Sequence, residues 1–225
     1  MSEPEAPGPQ APAAPPPLPE VKSARLLTTL GAGGAVAGVL LVVAFGITLP
    51  WIEANQAREL DLAIGEVLKA PARYETLFVV NGALTRETPP GTDPKKLERV
   101  YVGYGTGDRR VGLALVAAEP GFQDVVKIIF GYDPEKKQLI GMKVLESKET
   151  PGLGDKIEKD ERFVAQFGGA QVPLVGVKQG KRAKPSEIDM ITGATISSRA
   201  VIRIINNKLK ALGPAVDGYP GEGKR

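Results

Sequence analysis

Between Leu26 and Leu49 the chain carries no charged side chain, reading LLTTLGAGGAVAGVLLVVAFGITL. Roughly 20 apolar residues span the hydrocarbon of a bilayer as a helix, whereas a cleavable secretion signal has an apolar core of only about 7–15. The pattern predicts a transmembrane helix over 26–49, an uncleaved signal-anchor. After Pro50 the chain turns amphipathic. Ile52, Leu60, Ile64 and Leu68 recur near helical spacing, Pro71 closes the run, and Trp51 stands where an interfacial aromatic anchor belongs. This predicts a connecting helix over 50–71 into which the span runs.

From about residue 75 the texture becomes that of strands. Arg99–Tyr104, Val111–Ala117, Val125–Tyr132 and Leu139–Leu145 alternate or run apolar, separated by turn signals at Glu119-Pro120-Gly121 and Asp133–Lys137. Such short connections predict antiparallel pairing, because parallel crossovers need a dozen or more residues. A helix over Lys156–Phe167, a strand near Val172–Lys178 and a final helix from about Thr195 to Leu212 complete an α+β domain over 72–213. The last helix has an apolar stripe of Ile202, Ile205, Leu209 and Leu212, and Gly213-Pro214 reads as its stop before a flexible tail over 214–225. No internal repeat is visible.

Residues 1–20 hold eight of the chain's 20 prolines. That density supports neither ladder nor helix, so 1–25 reads as a disordered, partly extended tail, the alternatives being a rigid spacer or a ligand for a proline-binding domain. Lys22 and Arg25 precede the span, while Arg58 follows it among Glu53, Glu59 and Asp61. The positive-inside rule therefore puts the N-terminus in the cytoplasm and the domain outside it. Gly34 and Gly38 form a small-xxx-small face for another helix, although glycine is also ordinarily enriched in membrane helices.

Composition narrows the chemistry. Among 225 residues there is no cysteine and no histidine, which excludes a thiolate, a disulfide, a His-ligated metal or haem and a histidine general base. A net charge of +3 does not announce a nucleic-acid binder. Any redox chemistry must rest on an organic cofactor.

Three segments stand out. Asp189-Met-Ile-Thr-Gly-Ala-Thr195-Ile-Ser-Ser198 joins a strand end to the final helix, placing free backbone N–H donors and a favourable dipole at a glycine turn surrounded by Thr192, Thr195, Ser197 and Ser198. The plain alternative is helix capping by Thr192 or Thr195, with both serines on the surface. Glu149-Thr-Pro-Gly-Leu-Gly154 is a stiff loop able to press its backbone against a planar ligand, or simply a turn with Asp155 capping the next helix. The basic run Lys178–Lys184 is a solvated loop, a lipid contact, or a place from which Lys178 faces a negative group.

The order of these segments resembles a known family. One N-terminal span, then GYDPEKKQLIGMKVLESKETPGLGDKIE (131–158), then DxxTGATxSS before a terminal helix is similar to the RnfG family of the Rnf electron-transport complex, over about Gly121–Leu212 and more loosely back to the span. The NqrC family of the sodium-pumping NADH:quinone oxidoreductase shares the same elements. The resemblance implies an antiparallel-sheet FMN-binding domain, with FMN held as a phosphoester on Thr195. A flavin transferase would install it from FAD by recognising Asp189, Thr192, Gly193, Ala194 and Thr195. Candidate cofactor contacts are Glu149, Thr150, Gly152, Leu153, Gly154, Lys178, Ser197 and Ser198. The chain departs from the family pattern at Ser147, where a histidine is common, and at Phe122, where a tyrosine follows Gly121.

The chain is thus expected to be a non-autonomous electron-carrying flavoprotein subunit of an ion-translocating oxidoreductase in a bacterial inner membrane. Its expected partners are the other subunits, a flavin transferase and membrane lipid. It has neither ferredoxin-type cysteines nor a dinucleotide fingerprint to oxidise ferredoxin or NADH alone. The rival readings are a sodium-pump subunit, a flavoprotein regulator, and an anchored binding or scaffold domain whose Thr195 merely caps a helix.

Overall fold

A computed structural model describes residues 22–219, so the expected N-terminal tail lies almost wholly outside the described residues. The first element is a helix of 45 residues, α1 (Ser23–Val67), which continues through Pro50. It starts three residues before the expected span and ends four before Pro71, where Lys69 and Ala70 take positive φ. The expected span and the connecting segment as far as Val67 therefore form one continuous helix. α1 is the one helix among the described residues long and apolar enough to cross a membrane. The chain divides into two compact units at Glu53/Ala54.

In the second unit, β1 (Arg73–Val80) and β2 (Ala83–Thr85) make a hairpin at Asn81-Gly82, both with positive φ, the backbone geometry an Asn-Gly hairpin turn supplies. β3 (Arg99–Tyr104), β4 (Arg110–Pro120), β5 (Val125–Asp133) and β6 (Gln138–Glu146) follow. They form one antiparallel sheet in the order β2-β1-β3-β4-β5-β6. Strand side chains alternate between two cores. Leu113, Leu115, Ile128 and Phe130 pack with Val201, Ile204 and Ile205 on one face. Tyr101, Ala114 and Ile129 pack with Ala63, Ile64, Val67 and Leu68, the end of α1, on the other. Two cross-strand glycines, Gly131 and Gly141, make room for that end: a Cβ on Gly131 would collide with the Val67 carbonyl.

Three expectations change. The helix over Lys156–Phe167 is two short ones, α2 (Lys156–Lys159) and α3 (Glu161–Ala165). Asp160 divides them by leaving the helical region and accepting the Arg162 and Phe163 amides at 3.0 and 3.3 Å. β7 (Val175–Lys178) and β8 (Glu187–Met190) pair in parallel across a connection of only residues 179–186, unlike the antiparallel main sheet. Finally, α4 (Thr195–Asp217) runs past Gly213-Pro214. An interior proline costs about 3 kcal/mol. Here burial of Leu212 and Val216, the Tyr132–Asp217 hydrogen bond at 3.1 Å and the Arg110 bond to the Tyr219 carbonyl hold the helix end in place.

Candidate functional site

α4 starts without a side-chain cap. Ala194 is its N-cap and Thr195 its first helical residue. Thr192 instead donates to Gln179 Oε1 at 2.8 Å, and the Thr195 hydroxyl makes a long 3.4 Å contact with the Ile191 carbonyl. The expected capping role belongs to neither threonine. Ser198 N is the first amide to reach a carbonyl one turn back, Ala194 O at 2.9 Å. The amides of Thr195, Ile196 and Ser197 therefore form the open end of the helix. Gly193, with φ +85°, makes the turn before it.

The two serines are buried, contrary to a surface placement. The Ser198 hydroxyl is used inside the turn, donating to Ala194 O at 2.9 Å and accepting from Ile191 N at 3.1 Å. The Ser197 hydroxyl reaches across to Glu149, donating to Oε2 at 2.6 Å. Glu149 Oε1 accepts the amides of Phe122 and Gln123 at 2.8 and 3.1 Å. One buried carboxylate thus joins the β4–β5 turn, the 149–154 loop and the start of α4. Burial alone would raise its proton affinity. The Ser197 hydroxyl and the amides of Gln123, Phe122 and Asp124 outweigh that and hold it below the usual carboxylate range. Gly121 and Gly154 flank it, and a Cβ on Gly154 would stand 2.6 Å from Oε2.

The loop itself is a turn. Leu153 N donates to Thr150 O at 3.1 Å, and Gly152 has φ +76° after Pro151, as a type II turn requires. A second tie runs from Thr150 Oγ1 to Gln123 Oε1 at 2.8 Å. On the far side of the β4–β5 turn, Arg203 and Asn207 of α4 bind Glu119 at 3.0 and 2.9 Å.

These three segments enclose a cavity of about 230 Å³. Its apolar rim is Phe122, Leu153 and Ile196, exposed by 64, 49 and 51%. Thr150, Thr195 and Ser197 supply hydroxyl-bearing walls, and Gly154, Gly193 and Ala194 keep it open. None of its lining residues is basic. An exposed apolar rim suits a planar aromatic ring. An open helix end with no lysine or arginine suits a single negative charge better than a doubly charged phosphate monoester. The lining thus fits a flavin ring at the rim with one negative charge at the helix end.

Of the residues singled out from sequence, Thr150, Leu153, Gly154, Gly193, Ala194, Thr195 and Ser197 share this cavity. Glu149 lies behind its wall, Gly152 shapes the turn, and Ser198 is spent on backbone. Lys178, exposed at the end of β7, does not line the cavity. Asp189 faces away from it, accepting the Lys181 and Arg182 amides, each at 3.1 Å. The 178–184 run is thereby a folded loop, with Glu187 taking the Ala183 and Lys184 amides. Asp155 does not cap α2 and instead binds Lys159 at 2.8 Å. Ile196 and Phe122 were not anticipated as lining. Ile196 is spaced as an exposed helix residue, and Phe122 is carried in by a turn whose anchor lies 27 residues away.

Residues 121–210 match the FMN-binding domain family. The G subunit of the ion-translocating oxidoreductase complex of Vibrio parahaemolyticus is 36% identical over 173 residues, covering 76% of this chain and 80% of that protein. The protein of the same name from Shewanella baltica is 34% identical over 163 residues, covering 71% and 75%. Among solved structures, Shewanella oneidensis NqrC superposes with a TM-score of 0.60 at 15% identity over 74% of this chain and all of that one, a likeness of fold. The chain belongs to the G-subunit family of ion-translocating oxidoreductase complexes, and its FMN-binding domain holds the cavity around Thr195.

Proposed function

We propose that this chain carries electrons within a membrane-bound ion-translocating oxidoreductase on one FMN, covalently attached through its phosphate to Thr195. The observation that carries the reading is the position of Thr195, the first residue of α4, in the wall of a cavity rimmed by Phe122, Leu153 and Ile196. Bound flavin supplies reversible electron acceptance that no side chain of this composition supplies. The chain's own residues bind and orient it. The open amides of α4 face the phosphodiester charge, and the Gly193-Ala194 turn leaves the Thr195 hydroxyl accessible for modification. A flavin transferase is the maturation partner: Thr195 Oγ1 gives up its proton and bonds to the flavin phosphorus of FAD, with AMP leaving.

α1 supports anchoring in a bacterial inner membrane, and Lys22 and Arg25 before the span support a cytoplasmic N-terminus with the domain on the opposite side. Without ferredoxin-type cysteines the chain is one station of a longer route, with donor and acceptor on other subunits.

The test is intact-mass measurement and denaturing-gel fluorescence of the full chain, purified in detergent from cells that also make the transferase. One FMN less one water per chain, lost in Thr195→Val, is the expected result. A bare Thr195 in such material overturns the reading.

A further inference from the structure

Glu149 is the one buried acid in the described core, and it does not open into the cavity. Both its oxygens are spent: Oε1 on the Phe122 and Gln123 amides, Oε2 on the Ser197 hydroxyl. Phe122, Gly154 and Ser197 are all lining residues. The carboxylate therefore sits one residue layer behind three walls at once, with Gly121 and Gly154 lacking the Cβ that would push it back. No lysine or arginine is hydrogen-bonded or ion-paired to it among the described residues, so its charge is dispersed by neutral donors and never cancelled. A fixed, uncancelled negative charge in a water-poor wall acts on whatever occupies the cavity far more strongly than a solvated one.

We propose that Glu149 is a positioning residue that sets the reduction potential of the cavity's cofactor, its buried negative charge disfavouring the electron-rich reduced ring while its hydrogen bonds fix the cavity walls. The proposal rests on flavin attachment at Thr195. Its electrostatic part is separable from its latch part. Glu149→Gln removes the charge and keeps the size. Ser197→Ala keeps the charge and removes one donor that disperses it. The two variants shift the potential in opposite directions if charge governs, and in the same direction if only wall geometry matters.

The experiment is a redox titration of the flavinylated full chain in detergent at neutral pH, for wild type, Glu149→Gln and Ser197→Ala, with denaturing-gel fluorescence run on the same samples. Glu149→Gln is expected to favour reduction by at least tenfold, about 30 mV upward for a two-electron couple, and Ser197→Ala to move the potential downward. Fluorescent wild type with an unchanged or lowered potential in Glu149→Gln, or an upward shift in both variants, overturns the proposal and leaves attachment standing. Wild type without bound fluorescence overturns attachment, and this proposal with it. If Glu149→Gln takes up no flavin, Ser197→Ala decides alone: a downward shift supports the charge, and an unchanged or upward one overturns it. Hydrogen exchange on the flavin-free Thr195→Val chain reads the latch without cofactor. Adding Glu149→Ala to it, which removes the acceptor of both amides, is expected to speed exchange at the Phe122 and Gln123 amides at least tenfold, and unchanged rates there overturn the latch.

Discussion

Ser197 and Glu149, 48 residues apart in sequence, meet in a buried 2.6 Å hydrogen bond that ties the first turn of the last helix to the loop after β6. Nothing local to either residue demands it. The bond exists because the β4–β5 turn offers two amides to the other oxygen of the same carboxylate.

That arrangement predicts a pH dependence. Glu149 is held below its ordinary proton affinity in the folded chain. A lowered carboxyl contributes stability that is fully present above its unfolded value, and loses it as pH falls through the folded one. Thermal unfolding followed from pH 7 to pH 3 should therefore show a loss of stability, beginning as pH falls into the ordinary carboxylate range, that is smaller in Glu149→Gln. Glu149→Ala, which leaves three donors without an acceptor, should cost roughly 3 kcal/mol at neutral pH, a fall of about 6–12 °C in the melting temperature.

Thr195→Val should abolish covalent flavin while leaving the apo fold intact. The hydroxyl makes a single long contact, 3.4 Å to Ile191 O, and caps nothing. The expected change in apo stability lies within about 0.5 kcal/mol, measured by chemical denaturation of matched flavin-free samples. A loss of several kcal/mol would show that the side chain is structural.

Asp189→Ala should release the basic loop. Its carboxylate holds the Lys181 and Arg182 amides, while its backbone is fixed by Gln166 in both directions, at 2.7 and 3.2 Å. The expected outcome is faster hydrogen exchange confined to residues 179–186, with a modest stability loss of about 1 kcal/mol. If the same variant also fails to take up flavin, the motif's aspartate is required for maturation as well as for the loop.

Gly131→Ala should destabilise the domain by about 1–3 kcal/mol, because the new methyl would run into the Val67 backbone carbonyl, which cannot rotate aside. Gly152→Ala has open space around its Cβ but a φ of +76°. Its cost should come from backbone strain, about 1 kcal/mol. Paired melting curves of the two variants would separate crowding from strain.

Much of the fold is readable from the chain alone, wherever a single local rule decides the matter. RVYVGY is β3 because alternation and turn spacing agree, and the last helix opens at Thr195 because strand, glycine and helix follow in order. Where two local rules conflict, tertiary packing decides. Gly213-Pro214 reads as a stop, yet buried Val216 and the bonds from Tyr132 and Arg110 carry the helix past it. Asp160 lies inside an apparently helical run, and its capping strength becomes visible only as the break between α2 and α3. The role of Glu149 is illegible for a different reason. Its loop marks it as a ligand contact, but the side chain points backwards, toward a turn and a helix that no sequence spacing brings together.

The glycine pair beneath the last turn of α1 has a consequence for chain length. Ile64, Val67 and Leu68 reach their places only if the helix arrives at Gly131 and Gly141 with one rotational phase. One extra residue between Ile64 and Val67 would turn the two ends of that apolar face by about 100° against each other, so that both could not meet the sheet together, whereas an insertion further upstream leaves the face itself unchanged. The final turn of α1 therefore behaves as a keyed fitting, tolerant of changes in chain length before it and intolerant of single insertions or deletions within it.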